Sequence, residues 1–283
     1  MNVVVATPES AARPALRIAL VLGGVAALTV ALVIPYAIAL LPAAQRAVLP
    51  SLSILIPLQV LQAFVLFVFM AWAGLRLGER NRLDAPVLRR LLHGAGSLPD
   101  VRAGLEVVLG ALLAVAGVAL VTAWLDPMLP AFRNGTPPSP TALQGFMASF
   151  YGGIAEELQT RLFLMTLTAW LLVRAGIARS AALALAALVA ALLFGAGHLP
   201  AAAGVWPLDG VVVARTVLAN AVPGLVFGAL FARHGIECAI ADRAIEEDLS
   251  PSSAFKRPVA PTPPEAGHVN PTLCVRYRRR WRA

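Results

Sequence analysis

Long apolar runs separated by short polar segments dominate the first 235 residues of the chain. A helix needs about 20 apolar residues to cross a bilayer core of about 30 Å. Five runs are about that long, and they lie at 16–41, 51–75, 104–125, 180–197 and 211–231. A sixth run, 142–173, is apolar at both ends and polar at its centre, and a short seventh begins at Gly235 and ends near residue 244. The pattern predicts an all-α, polytopic transmembrane bundle of about six to seven helices.

The same pattern predicts how the chain is divided. After Ile245 the sequence becomes acidic, then rich in Ser, Pro and Thr, and ends in a cluster of arginines, a composition that cannot bury a core. We expect a polar N-terminus, two transmembrane helices with an arginine-rich segment, a transmembrane core and a disordered basic tail, at 1–15, 16–103, 104–245 and 246–283 respectively.

Composition agrees with a membrane protein, because 59% of the residues are hydrophobic and 13% are charged, against about 25% charged in an average soluble domain. The formal net charge of +8 comes almost wholly from arginine, since Lys256 is the only lysine. No basic helix face or zinc-type spacing accompanies this charge in the first 240 residues. We therefore expect the lipid bilayer as the environment and no nucleic-acid partner.

The distribution of arginine predicts the topology. Six arginines lie between residues 76 and 102, which marks that segment as cytoplasmic. The segment 126–141 holds Arg133 as its only basic residue and should lie on the other side. With six spans, the N-terminus and the C-terminal tail would both be cytoplasmic.

Two adjacent carboxylates, Glu156 and Glu157, interrupt the apolar run 142–173. One charged side chain at the centre of a transmembrane helix costs about 2.5–3.5 kcal/mol on insertion scales. Arg161 follows Glu157 by four residues, so the two would be neighbours on one helix face. Glu157 therefore has a partner on its own helix, whereas Glu156, about 100° around the helix axis, points elsewhere.

The spacing predicts that Glu156 meets His198. The turn between their helices lies near Gly176, about 21 residues after Glu156 and about 21 before His198, so at 1.5 Å per residue both lie about 30 Å from the turn. Arg174 and Arg179 flank the turn and place it in the cytoplasm. A carboxylate and an imidazole can thus meet at one depth, toward the other side of the bilayer.

These groups predict hydrolytic chemistry. A buried carboxylate can act as a general base toward water, and a histidine beside it can stabilise an oxyanion or, with Glu156, bind a divalent metal such as zinc. The alternative is that Glu157 and Arg161 form only a packing pair between helices. The convergence of four ionisable residues, His198 among them, favours a functional site, because such residues inside a membrane usually mark one.

The sequence around these groups resembles two motifs of the CAAX prenyl endopeptidase and bacteriocin-processing (CPBP) family of intramembrane proteases. Glu156-Glu157-Leu158-Gln159-Thr160-Arg161 fits the motif EExxxR, and Phe194-Gly195-Ala196-Gly197-His198 fits FxxxH. The resemblance covers about residues 142–244. It implies a glutamate-dependent peptidase in which Glu156 activates water, Glu157 and Arg161 order the helix, and His198 positions the water or holds a metal.

The third motif of the family, a histidine followed four residues later by Asn or Asp, is altered in this chain. By the resemblance, Asp242 takes the position of the histidine and Glu246 the second position. The two share a helix face and could supply oxygen ligands or acceptors. The alternative is that this helix end is a polar, solvated exit from the membrane, because polarity rises sharply after Ile245.

Three functions fit these observations. The leading prediction is an intramembrane endopeptidase, a metalloprotease if a metal is used, that cleaves a membrane-tethered peptide or protein, prenylated or not. The second is a catalytically silent family member that binds membrane peptides or proteins, because the third-motif histidine is missing. The third is a small transporter that uses the four ionisable residues as a proton or ion relay. In each case we expect a multi-pass protein of the bacterial inner (plasma) membrane.

Overall fold

The computed structural model describes residues 8–41, 43–133 and 140–249, and every regular element in these ranges is helical. The predicted all-α fold is confirmed. The α-helices are α1 (Pro8–Leu40), α2 (Ala43–Ala47), α3 (Leu52–Gly78), α4 (Pro86–His93), α5 (Val101–Leu125), α6 (Ala142–Phe150), α7 (Thr166–Arg174), α8 (Arg179–Gly197), α9 (Leu199–Val205), α10 (Gly210–His234) and α11 (Ile236–Leu249). Short 3-10 turns, Glu79–Asn81 and Asp126–Met128, follow α3 and α5. Two π-helical segments, π1 (Tyr151–Glu156) and π2 (Leu158–Met165), join α6 to α7.

Five helical stretches are long and apolar enough to cross a membrane, namely Ala15–Leu40, Leu52–Asn81, Val101–Met128, Arg179–Val205 and Gly210–His234. They correspond to the five uninterrupted apolar runs of the sequence. The predicted span 142–173 is a continuous helical rod from α6 to α7 that carries three charged residues at its centre. The short seventh run is α11, whose 14 residues extend only about 21 Å and cannot cross a core of about 30 Å.

The outer and inner surfaces of the bundle differ in side-chain size. Large apolar side chains are exposed along α3 and α5, among them Leu58, Leu61, Val65, Leu109, Leu113 and Leu120. Such a surface suits lipid and would be an extensive apolar patch in water. Alanines fill much of the interior, including Ala19, Ala26, Ala71, Ala114, Ala186 and Ala190. Small interior residues let the helix backbones approach closely, which is how membrane helices pack.

α11 packs against several other helices of the bundle. α1 packs against α3 and α6, and α10 packs against α8 and α5. α11 lies against α5, α10 and π1. Its polar side chains are therefore brought against the acidic motif of the α6–α7 rod.

Local signals fix the two helices that carry the sequence motifs. Thr141 and Gln144 form a reciprocal capping box that starts α6. The rod ends at a turn in which the backbone N–H groups of Gly176 and Ile177 bond to the carbonyls of Val173 and Leu172. Gly176 has a φ of +89°, the left-handed conformation that this helix-ending motif requires. The predicted turn at Gly176 is confirmed.

Gly195 allows α8 to approach α10 closely. A Cβ at this position would lie 2.5 Å from the carbonyl oxygen of Val217, much nearer than van der Waals contact. The glycine lies between Phe194 and His198, so this contact sets how far both side chains reach into the bundle.

The C-terminal boundary differs from the prediction. α11 continues to Leu249, whereas the tail was expected to begin at residue 246. The helix persists because its polar residues are buried against neighbouring helices, as described below. Residues 250–283 lie outside the described ranges, and so does the predicted disorder of the tail.

Candidate active site

The helix that carries the acidic motif is wound in an unusual way. π1 ends at Glu156 and π2 begins at Leu158, so Glu157 lies between two π segments. Hydrogen bonds from i to i+5 widen such turns, and π segments are frequent at functional sites. Glu157 is completely buried, and its Oε1 lies 3.1 Å from Nη1 of Arg161. The ion pair predicted from the four-residue spacing is present inside the bundle.

Arg161 connects the rod to α10. Its Nη1 also donates to the Oγ1 of Thr160, and its Nη2 donates to the carbonyl oxygen of Gly224 at 3.0 Å. A buried guanidinium needs both a counter-charge and acceptors for its N–H groups. Glu157 supplies the first, and Thr160 and Gly224 supply the second.

Glu156 and His198 meet as the spacing predicted. Oε1 of Glu156 lies 3.9 Å from Nε2 of His198, and both side chains are partly exposed. Nδ1 of His198 lies 2.9 Å from the carbonyl oxygen of Phe194. A carbonyl oxygen can only accept, so Nδ1 carries the hydrogen and the neutral ring presents the Nε2 lone pair on the side of Glu156.

A second arginine, Arg243 of α11, also contacts the acidic motif. Its Nη2 lies 3.0 Å from Oε2 of Glu156, and its Nη1 lies 3.9 Å from Oε1 of Glu157. Its Nε donates to Oε1 of Glu247, one helical turn further on, at 2.8 Å. Gly152 of π1 makes room for this arrangement, because a Cβ there would overlap the carboxylate of Glu247.

Two aromatic rings hold both arginines. The Cζ atom of Arg161 lies 5.4 Å from the ring centre of Phe194 and 5.2 Å from that of Phe227. The Cζ atom of Arg243 lies 5.2 Å and 5.5 Å from the same two ring centres. At these distances the rings attract the cations electrostatically. Phe194 of the FxxxH motif thus helps to hold the two guanidinium groups as well as accepting from His198.

The partly exposed groups line one cavity of about 330 Å³. Its polar lining includes Glu156, His198, Asn220, Arg243, Glu246 and Glu247. Its apolar walls come from several helices and include Val33, Val118, Val205 and Trp206. The cavity is large enough for part of a peptide, and it exposes the paired carboxylate and imidazole to whatever enters.

Asp242 does not face Glu156, although the altered third motif was assigned to Asp242 and Glu246. Asp242 is completely buried against α5, where a Cβ on Gly110 would lie 2.8 Å from its Oδ1. Neither carboxylate oxygen forms a well-aligned hydrogen bond within the described residues, although the backbone of Ala111 lies nearby. The α11 side chain that bonds to Glu156 is Arg243, one residue further along the helix.

The interpretation of this helix end as a solvated exit from the membrane is wrong. Glu246 is 5% exposed and lines the cavity, and Asp242 is 0% exposed. The polar side chains of Asp242 and Glu246 are therefore buried inside the bundle.

The predicted metal pair has only part of a ligand set. Glu156 and His198 lie within reach of one another, but within the described residues no group of three His, Cys, Asp or Glu side chains is arranged to hold a metal ion. Oε2 of Glu156 is also engaged by Arg243. These residues do not fit a zinc site, which takes at least three protein ligands.

Residues 138–245 match the family model described as type II CAAX prenyl endopeptidase Rce1-like. This part of the chain is therefore similar to the Rce1-like family. The predicted resemblance to the CPBP family is thereby confirmed over that region. No significant match to a curated protein or to a solved structure was found.

The matched region contains Glu156, Glu157, Arg161, His198 and Arg243, and it ends just before Glu246 and Glu247. At the level of the family, it relates the chain to CAAX-protease-like membrane endopeptidases, which are hydrolases. Together with the five apolar helices, this relationship identifies the chain as an integral membrane protein.

Arg243 and Glu247 are the functional candidates that the sequence motifs missed. They are four residues apart, which is the spacing that identified Glu157 and Arg161. In this pair, however, the basic residue comes before the acidic one. The spacing was therefore visible in the sequence. What it could not reveal was that this turn of α11 packs against π1.

Proposed function

We propose that the chain is an intramembrane endopeptidase with Glu156 as its general base. The observation that carries the proposal is the distance of 3.9 Å between Oε1 of Glu156 and Nε2 of His198 at the wall of a cavity, within the region that is similar to the Rce1-like family. Two atoms at this separation can share one water, each at a hydrogen-bond distance of about 2.8 Å.

The reaction follows from the polarity of these two groups. The shared water donates one hydrogen to the carboxylate of Glu156 and the other to Nε2 of His198, which leaves an oxygen lone pair directed away from both. As the water oxygen attacks the peptide carbonyl carbon, its proton passes to Glu156. Glu156 then returns the proton to the amide nitrogen as the C–N bond breaks. The products are a carboxylic acid and an amine, and the site is restored.

The substrate in this proposal is a peptide or protein tethered to the membrane. The cavity lies within a bundle whose outer surface is apolar, so a substrate held by a lipid or a transmembrane segment has the shortest route to it. Arg179 beside the Gly176 turn donates to the carbonyl of Asn81, which lies in the 3-10 turn after α3 and within the arginine-rich segment. Because that segment is rich in arginine, we place this end in the cytoplasm and the cavity toward the other side.

The test is cleavage by the purified protein in lipid, with fluorogenic farnesylated and unmodified peptides. We expect Glu156→Ala and Glu156→Gln to lower the rate by about 10²–10⁴-fold, the usual contribution of a general base. The matched control is Glu106→Gln, a glutamate of α5 that is ion-paired to Arg102 and lies 2.8 Å from Nε2 of His234. It should cleave as the wild type does. A wild type that is folded but cleaves neither peptide would refute the proposal and favour a binding role.

A proton relay is the second candidate, and the buried carboxylates favour it. Asp242 and Glu157 are both completely buried, and Glu246 and Glu247 continue the series into the cavity. Chains of ionisable residues inside membranes often carry protons. In vesicles loaded with a pH-sensitive dye, a relay would give proton flux in the wild type and none in Asp242→Asn. Peptide cleavage without flux would exclude it.

A further inference from the structure

Arg243 is central to the contacts around Glu156, yet neither sequence motif gives it a role. We propose that Arg243 is a positioning residue, which turns the Glu156 carboxylate so that one oxygen faces His198. The inference rests on the proposed function and adds to it a residue on which the chemistry depends.

The two carboxylate oxygens of Glu156 face different groups. Oε2 accepts from Nη2 of Arg243 at 3.0 Å, while Oε1 lies 3.9 Å from Nε2 of His198. The last torsion of a glutamate side chain has a broad energy profile, so the carboxylate does not hold one orientation by itself. A charge-assisted hydrogen bond to one oxygen fixes that torsion. Arg243 therefore determines where the other oxygen points.

The side chain of Arg243 is itself held in place by other residues. Its Nε is bonded to Glu247 on the same helix, and its guanidinium lies over the rings of Phe194 and Phe227. The side chain is about one-tenth exposed. A guanidinium fixed by a carboxylate and two rings is already placed before a substrate arrives, which is what a positioning group requires.

The other arginine, Arg161, is bonded to different groups. Arg161 has its charge opposed by Glu157 and donates to Thr160 and to the carbonyl of Gly224. Arg161 is therefore not free to orient Glu156. Arg243 is thus the arginine that bonds to Glu156, although its Nη1 also lies 3.9 Å from Oε1 of Glu157.

A purely structural role, in which Arg243 only holds α11 against the rod, makes different predictions. If the role is structural, any variant that loosens α11 should lose cleavage activity, and adding a small molecule should not restore it. If Arg243 positions Glu156, activity should return when a guanidinium ion occupies the vacated space, because Arg243 lines the cavity and its site is accessible from there.

The experiment measures cleavage by Arg243→Ala, Arg243→Lys and the wild type in lipid. We expect Arg243→Ala to lower kcat by about 100-fold, the cost of misplacing a reacting group by about 1 Å, and to leave KM within about threefold. Arg243→Lys should retain part of the rate, because an ammonium reaches Oε2 of Glu156 but cannot bond to Glu247 in the same plane. Methylguanidine should raise the rate of Arg243→Ala by about tenfold, whereas urea should not, because it carries no charge.

Two controls make the result decisive. Arg102→Ala removes an arginine that is 84% exposed and pairs with Glu106, and it should leave kcat unchanged. Melting temperatures of Glu156→Gln, Arg243→Gln and the double variant test the pair without any cleavage, and the double variant should lose less than the sum of the single losses.

Several outcomes would overturn the inference. It fails if Arg243→Ala keeps the wild-type kcat, if neither lysine nor methylguanidine restores a folded variant, or if the melting temperatures are additive. A wild type that cleaves nothing overturns the proposed function instead, and non-additive melting temperatures would then still demonstrate the contact between Glu156 and Arg243.

Discussion

Replacing Gly195 by alanine should separate α8 from α10 and displace His198. The new Cβ would lie 2.5 Å from the carbonyl oxygen of Val217, where ordinary contact begins at about 3.4 Å. The obstacle is backbone rather than a flexible side chain, so the two helices must move apart by roughly 0.9 Å at this level, the difference between those distances. Overpacking of this kind costs about 1–3 kcal/mol.

The same movement should reduce activity. His198 lies three residues after Gly195, at the C-terminal cap of α8, and must stay within reach of the water that it shares with Glu156. A displacement of about 1 Å at a reacting group can cost about 100-fold in rate. We expect a melting temperature lower by several degrees, since 1 kcal/mol corresponds to about 2–4 °C in a protein of 150–250 residues. The rate in lipid should fall by about 100-fold.

Gly197→Ala is the matched control. It lies in the same motif, but a Cβ there would meet nothing within 4 Å. Alanine also favours a helix over glycine by roughly 0.5–1 kcal/mol. Gly197→Ala should therefore be as stable as the wild type or slightly more so, with unchanged cleavage. If the two variants behave alike in melting temperature and in rate, the close approach at Gly195 does not position His198.

Three further predictions concern the buried charges. Glu157→Gln should lower the free energy of unfolding by about 3–5 kcal/mol, because it leaves Arg161 without its buried counter-charge. The double variant Glu157→Gln with Arg161→Met should lower it less. Denaturation in detergent measures both, and equal losses would contradict the pairing. Asp242→Asn should keep or raise the melting temperature and retain cleavage, because Asp242 is a buried carboxylate that faces Gly110 rather than Glu156. For the same reason Asp242→His should not increase cleavage, and a gain in rate would assign the third motif to position 242 after all.

Much of the motif geometry could be predicted because it depends on constants of the helix. Glu156 and His198 meet because they stand equally far from a turn that Gly176 marks, and the rise per residue is the same on both helices. Glu157 and Arg161 pair because a spacing of four residues returns to one helix face. Both pairs lie on one helix or on two helices joined by a short turn, so predicting them did not depend on packing between distant parts of the chain.

The missed features depend on packing partners. The polarity of α11 is the same whether its residues face water or other polar groups, so composition alone favoured a solvated exit. Arg243 and Glu247 become site residues only because α11 lies against π1, with Gly152 leaving space for Glu247. The π segments could not be predicted either. Apolar residues surround the motif on all sides, so no spacing of apolar and polar residues marks where the winding changes.

The composition of α11 has a consequence for how the protein is made. This helix has 14 residues, six of them charged, so it cannot partition into a bilayer by itself. The five apolar helices can insert independently, and all of them precede α11 in the chain. α11 enters the membrane only by docking onto α5, α10 and the rod, where Glu156 and Glu157 meet its arginine. Assembly of the site thus follows insertion of the apolar helices that precede α11, and a chain that has not completed its bundle has no arginine from α11 beside Glu156.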